Sequence, residues 1–179
     1  MSRGLIPGTT FPDYTLPDET GTRHQLSTLQ GDDCLVVNLS RGEHCPRERL
    51  HHRELLLFHE WCSVGYSQLV SILPNTQHDA LRMKIGTGAH WTFLADEGLA
   101  IRTAHEIDEY TDTHHDNAVV PHTLILSPGL LIEKVYVGYF FWGHPSPQQL
   151  WLDLQEVHKR IKPDFDPTLP EARATAAAA

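Results

Sequence analysis

The stretch CLVVNLSRGEHCPRERLHHREL, residues 34 to 55, decides how this chain is read. Cys34 to Leu39 is a short apolar run rich in branched residues behind the turn signal Gly31-Asp32-Asp33, the pattern of a central strand buried on both faces. A polar loop from Ser40 follows, and then Pro46, a residue favoured at the first position of a helix. Leu50, Leu57, Phe58 and Trp61 recur at helical steps, so residues 46 to 61 are expected to form an amphipathic helix that buries this stripe. Cys45 then falls at the helix N-cap, where the dipole and the unpaired backbone N–H groups favour a thiolate. His44, Arg41, Arg47 and Arg49 add positive charge around it, and Glu43 and Glu48 oppose them.

Outward from this unit, Gln68 to Leu73 reads as a second strand ended by Pro74. Asn75-Thr76 caps a helix over residues 77 to 85 that Gly86 closes, and the resulting strand-helix-strand unit implies parallel pairing. Trp91 to Leu94 is extended, Glu97 to His105 is helical, and Asp108 to Asn117 is a polar loop. His122 to Ser127 and Leu130 to Val137 are joined by Pro128-Gly129, too short for a crossover, and so form an antiparallel hairpin. Ser146, Pro147 and Gln149 make the capping box of a last helix that ends near Ile161. Ahead of the first strand, Arg23 to Leu29 reads as an extended piece of an N-terminal hairpin. The order is that of the thioredoxin layout: an α/β chain with a mixed central sheet, flanking helices and an N-terminal β-hairpin extension. Residues 1–161 read as a single domain, and residues 162–179, with three prolines and the ending ATAAAA, read as a tail.

Composition bounds the function. The 179 residues suit one domain, and 40% apolar with 21% charged residues excludes a disordered or fibrous chain. A formal net charge of −9 argues against nucleic acid or anionic lipid as partner. No apolar run reaches the roughly 20 residues of a membrane span. The opening MSRGLIPGTTFPDY lacks the apolar core of a secretory signal, so a cytoplasmic location is expected. Three cysteines do not make a disulfide scaffold. Cys34 reads as core, Cys62 as a half-buried packing residue, and position 48, where a CxxC motif would carry its second sulfur, is Glu48. The 17 residues from Cys45 to Cys62, if helical, hold the two sulfurs ~25 Å apart.

The same residues carry a resemblance. The strand followed by RG and CP, FLADEG at Phe93 to Gly98, EYTDTHHDN at Glu109 to Asn117, the run from Val119 to Ser146 and the helix QQLWLDLQ together resemble the peroxiredoxin-like redoxins of the alkyl hydroperoxide reductase and thiol-specific antioxidant superfamily, over residues 8 to 161. The resemblance implies a thioredoxin fold with Cys45 as peroxidatic cysteine, passing through a sulfenic acid. It also implies a cis bond between Val120 and Pro121 in a loop facing Cys45. The family's tryptophan before the cysteine is His44 here, and its later arginine is His144. The PxxxTxxC motif of better-known peroxiredoxins is replaced by Asn38 and Gly42, and their arginine ahead of the later strand by Pro121.

The expected activity is therefore that of a one-cysteine thiol peroxidase acting on hydrogen peroxide or organic hydroperoxides. Cys45 is the nucleophile, Arg41 stabilises charge, His44 handles a proton and Pro121 shapes the loop. An external thiol, thioredoxin or a low-molecular-weight thiol, is the expected reductant, with no cofactor and with a homodimer left open. The alternative is a thioredoxin-fold redox-sensing or partner-binding module without turnover. His51-His52 and His114-His115-Asp116 invite a metal reading. Adjacent helical residues diverge by ~100°, however, and the loop pair reads as solvated, so no metal is expected.

Overall fold

The computed structural model describes residues 2–115, 118–139 and 142–162, with Thr168, Pro170 and Ala174. Nearly all of the expected tail, together with Asp116, Asn117, Phe140 and Phe141, lies outside the described residues. Two short strands, β1 (Thr15–Pro17) and β2 (Arg23–Gln25), make the N-terminal hairpin. Then follow α1 (Leu26–Gln30), β3 (Cys34–Leu39), α2 (Pro46–Val64), β4 (Ser67–Leu73), α3 (Gln77–Thr87) and β5 (Thr92–Ala95). The chain continues through α4 (Ala100–His105), β6 (His122–Ser127), β7 (Leu131–Val137) and α5 (Pro147–Ile161). The main sheet has the order β5-β4-β3-β6-β7, with β3, β4 and β5 parallel and β6 and β7 antiparallel to their neighbours. This is the expected mixed sheet, with β3 at its centre.

All six residues of β3 are buried, and they alternate between two cores as a strand's side chains must. Leu35, Val37 and Leu39 join the cluster shared with α1, α4 and the N-terminal segment. Cys34 and Val36 face Leu55, Phe58 and Cys62 of α2 and Leu150 and Leu154 of α5. Helix caps appear where the residue types demand them. Thr76 and Ser146 each accept a backbone N–H at N3, from Asp79 and Gln149 respectively.

Several local expectations give way to tertiary context. Leu26 to Gln30 is helical rather than extended, because Asp13 Oδ1 accepts the Ser27 N–H and the buried Gln30 amide bonds Ser127 O and Leu130 N, about a hundred residues away. Helix α3 runs through Gly86 and ends at Gly88, whose φ of 76° supplies the left-handed cap. Helix α4 starts three residues later than expected, where Asp96 accepts the N–H groups of Ala100 and Ile101. The largest departure is in α2. Leu50 and Leu57 are 54% and 49% exposed, and the buried face is Glu48, His51, His52, Leu55, Phe58 and Cys62. That set has helical spacing too, but half of it is polar, so an apolar count selects the wrong face. Cys62 is fully buried rather than half-buried.

The Val120–Pro121 bond is trans, not cis. Trans is the intrinsic preference of an X-Pro bond, and the flanking groups are paired in that form: Val120 N–H donates to Ile107 O, and Pro121 O accepts from Gly138 N. His122 pairs with Leu39, so Pro121 precedes β6 at the end of the sheet where β3 leaves for the Cys45 loop.

Candidate active site

Strand β3 delivers the chain to Ser40, and the next five residues turn it into α2. Gly42 permits the turn, since its φ of 139° is glycine territory and a Cβ there would sit 2.9 Å from the His44 ring and 3.1 Å from Asn75 Oδ1. Cys45 takes the N-cap position with extended backbone and Pro46 behind it, as expected. A cysteine with no apolar run around it and a proline behind it is expected to keep its sulfur partly accessible, but the exposure of Cys45 is 2%. The sulfur belongs to neither core cluster. Arg41 lies beside it, with Nη1 3.7 Å from Sγ.

Arg41 is held in turn by the loop after α4. Its Nη2 donates to Asp112 Oδ2 at 2.7 Å, and Nε lies 3.9 Å from Glu109 Oε2. The Asp112 side chain is only 5% exposed. The backbone N–H of His114, with His115 and Arg41, keeps its carboxyl down at about 2, so it is anionic throughout the neutral range. His44 turns toward the same carboxylate: Nε2 lies 3.8 Å from Asp112 Oδ2, and the ring stacks on His115 at 3.7 Å. Burial pushes the His44 imidazole down, helped by His115 and Arg41, so it is neutral at pH 7. Three of the four expected site residues, Arg41, His44 and Cys45, therefore meet in one loop; Asp112 and Glu109 join them unforeseen, with His115, which the sequence offers only for a metal reading. Among the described residues, His44, Asp112 and His115 are the one trio whose ligand-type atoms all lie within 4.8 Å.

Beneath the loop lies a polar network that an apolar count had hidden. Ser40 Oγ donates to Glu48 Oε2 at 2.9 Å, and His144 Nε2 lies 3.2 Å from Glu48 Oε1. The sheet register sets Ser71 and Thr123 on either side of Asn38, on the face that meets α2. His52 closes this row: Nδ1 donates to the Glu48 carbonyl at 2.7 Å, and Nε2 accepts from Ser71 Oγ and Asn38 Nδ2 at 3.0 and 3.2 Å. Trp91 Nε1 completes the Ser71 hydroxyl. His51 sits beside it with neither ring nitrogen hydrogen-bonded, edge-on to His144 at 4.4 Å. The helical spacing 48, 51, 52, 55, 58, 62 carried this signal in the sequence.

The buried imidazoles make stability depend on pH. Burial, with His144 nearby, pushes His51 down to about 3, and burial likewise lowers His52. Both are neutral in the fold, whereas the unfolded chain takes up their protons below ~6.5. Their contribution is whole above pH 6.5 and is lost as pH falls toward the folded values. At about 1.4 kcal/mol per pH unit, His51 alone removes about 2 kcal/mol between pH 6.5 and 5. Glu48 is also lowered: its burial raises the value, but His144 beside it outweighs that, so its share is lost only below ~4.5. A urea midpoint that stays constant from pH 7 to 5 would contradict neutral buried imidazoles.

The other thiols are out of play. Burial, with Glu133 nearby for Cys34, pushes Cys34 and Cys62 each up to about 12. Helix α2 runs unbroken between Cys45 and Cys62 and keeps them ~25 Å apart, whereas bridged α-carbons lie within ~7 Å. Of the aromatic stretch near β7, Tyr136 packs on the α2–α5 core and donates to Asp153. Tyr139 lines a cavity of about 550 Å³ with Tyr110, Val120 and His122. No described helix is long and apolar enough to cross a membrane.

Among solved structures, the chain is similar to Peroxidoxin BcpB from Mycobacterium tuberculosis, at 16% identity over 83% of this chain and 93% of that one, with a TM-score of 0.69. A PrxQ variant from Xylella fastidiosa matches at 12% identity over 88% and 98%, with a TM-score of 0.71. Reduced Prx3 from Vibrio vulnificus, in complex with hydrogen peroxide, matches at 17% over 74% and 86%, with a TM-score of 0.66. No family model matches the sequence. No curated protein matches it either. The chain thus shares the thioredoxin-like fold of these peroxiredoxins.

Proposed function

We propose that this protein is a one-cysteine thiol peroxidase. The observation that carries the reading is a lone thiol at a helix N-terminus with a guanidinium 3.7 Å from its sulfur, on a fold shared with peroxiredoxins. The Cys45 thiolate attacks the distal oxygen of a hydroperoxide. The S–O bond forms as the O–O bond breaks, and the departing oxygen leaves as water or an alcohol once it takes a proton. Arg41 and the free N–H groups of the first turn of α2 stabilise the negative charge. His44, neutral and close by, receives or hands on the proton. Pro121 borders the loop from the β6 side. An external thiol then attacks the sulfenic sulfur, water leaves, and a second thiol releases the mixed disulfide.

The sulfur is closed off from solvent in this structure, at 2% exposure. That closure favours a second reading, a redox-sensing or partner-binding module that is oxidised once and does not turn over. The test is peroxide treatment of the reduced protein with a sulfenic-acid probe, followed by mass spectrometry. Cys45 is expected to carry the probe, and no peptide is expected to link Cys45 to Cys34 or Cys62. An unlabelled Cys45 ends the peroxidase reading, and a linked peptide ends its one-cysteine form. Sustained consumption of excess peroxide in the presence of dithiothreitol separates turnover from single oxidation.

A further inference from the structure

We propose that His44, Asp112 and His115 form a binding site for a zinc-type divalent cation at the rim of the Cys45 loop. The trio presents two imidazoles and a carboxylate, a donor set that suits zinc, cobalt, copper or ferrous iron and suits calcium and magnesium poorly. The spacing is close to that of a bound set. For ligand bonds of ~2.1 Å at tetrahedral angles the donor atoms stand ~3.4 Å apart. Here His115 Nδ1 is 3.0 Å and His44 Nε2 is 3.8 Å from Asp112 Oδ2. The His44 nitrogen is buried without a hydrogen-bond partner, so it has an unused lone pair or proton directed at the carboxylate.

The rest of the site already holds these groups in place. Asp112 is fixed by its own loop, since Oδ1 accepts the N–H groups of His114 and His115. The two rings are nearly parallel, 13° apart, and a shared cation requires them to open toward each other. His115 is exposed, and its Nδ1 already lies against both carboxylate oxygens of Asp112, at 3.1 and 3.0 Å. One group opposes binding: Arg41 brings a positive charge to the same carboxylate oxygen. A cation and Arg41 therefore compete for Asp112, which gives the site a signature that scattered surface histidines lack.

The test is calorimetric titration of the reduced, full-length protein with Zn²⁺, and with Co²⁺ followed by its visible absorption. One saturable site is expected. His115→Ala, His44→Ala and Asp112→Asn should each weaken it about tenfold or more, and His114→Ala should leave it unchanged. Arg41→Gln should tighten it several-fold by removing the competing charge. Cys45→Ser should still bind, which separates this site from the peroxidase reading. No saturable binding, or binding that survives all three ligand substitutions, overturns the proposal, as does an Arg41→Gln variant that binds more weakly.

Discussion

Replacing Cys45 with serine is expected to abolish peroxide consumption, leaving a rate indistinguishable from buffer in stopped-flow mixing with hydrogen peroxide. The reason is chemical before it is structural. A neutral hydroxyl is a poor nucleophile without a base to activate it, and the other two thiols are buried and held up at about 12. The substitution changes one atom at a position outside both core clusters, so the urea midpoint should stay near that of the unmodified chain. Arg41→Gln should keep the nucleophile but lose the charge beside it, slowing the reaction on the order of a hundredfold. Peroxide consumption that persists in Cys45→Ser would remove Cys45 from the chemistry altogether.

The second large effect is on stability. Glu48→Ala is expected to cost about 1 to 3 kcal/mol, because it removes a fully buried carboxylate and leaves the Ser40 hydroxyl without its acceptor. Against a total of about 5 to 15 kcal/mol for an ordinary domain, this is a large share. Leu50→Ala provides the contrast. An apolar stripe running through Leu50 would make that change cost about 2 to 5 kcal/mol, but Leu50 is exposed and the expected cost is within about 0.5 kcal/mol. Urea denaturation of the two variants at pH 7 decides between the faces. A larger loss for Leu50→Ala than for Glu48→Ala would mean that α2 is rotated from the orientation described.

The element order from β3 onward, the strand at Cys34–Leu39, the N-cap position of Cys45 and the capped start of α5 were all determined by the sequence itself. They rest on local physics: an apolar run of strand length, a proline at N1, a serine whose side chain reaches N3. The candidate nucleophile followed from the same local signals, as did the inertness of Cys34 and the separation of Cys62. Tertiary structure alone decided what surrounds the sulfur. Which face of α2 is buried depends on Asn38, Ser71 and Thr123, polar residues of three strands that register aligns beneath His52. An apolar periodicity is blind to a polar stripe whose hydrogen bonds come from elsewhere in the chain. The placing of Arg41 beside Cys45 likewise involves Asp112, 67 positions from the thiol, whose carboxylate holds the guanidinium. Contacts between groups so distant in sequence leave no local pattern, because chain spacing says nothing about which loops the sheet brings together.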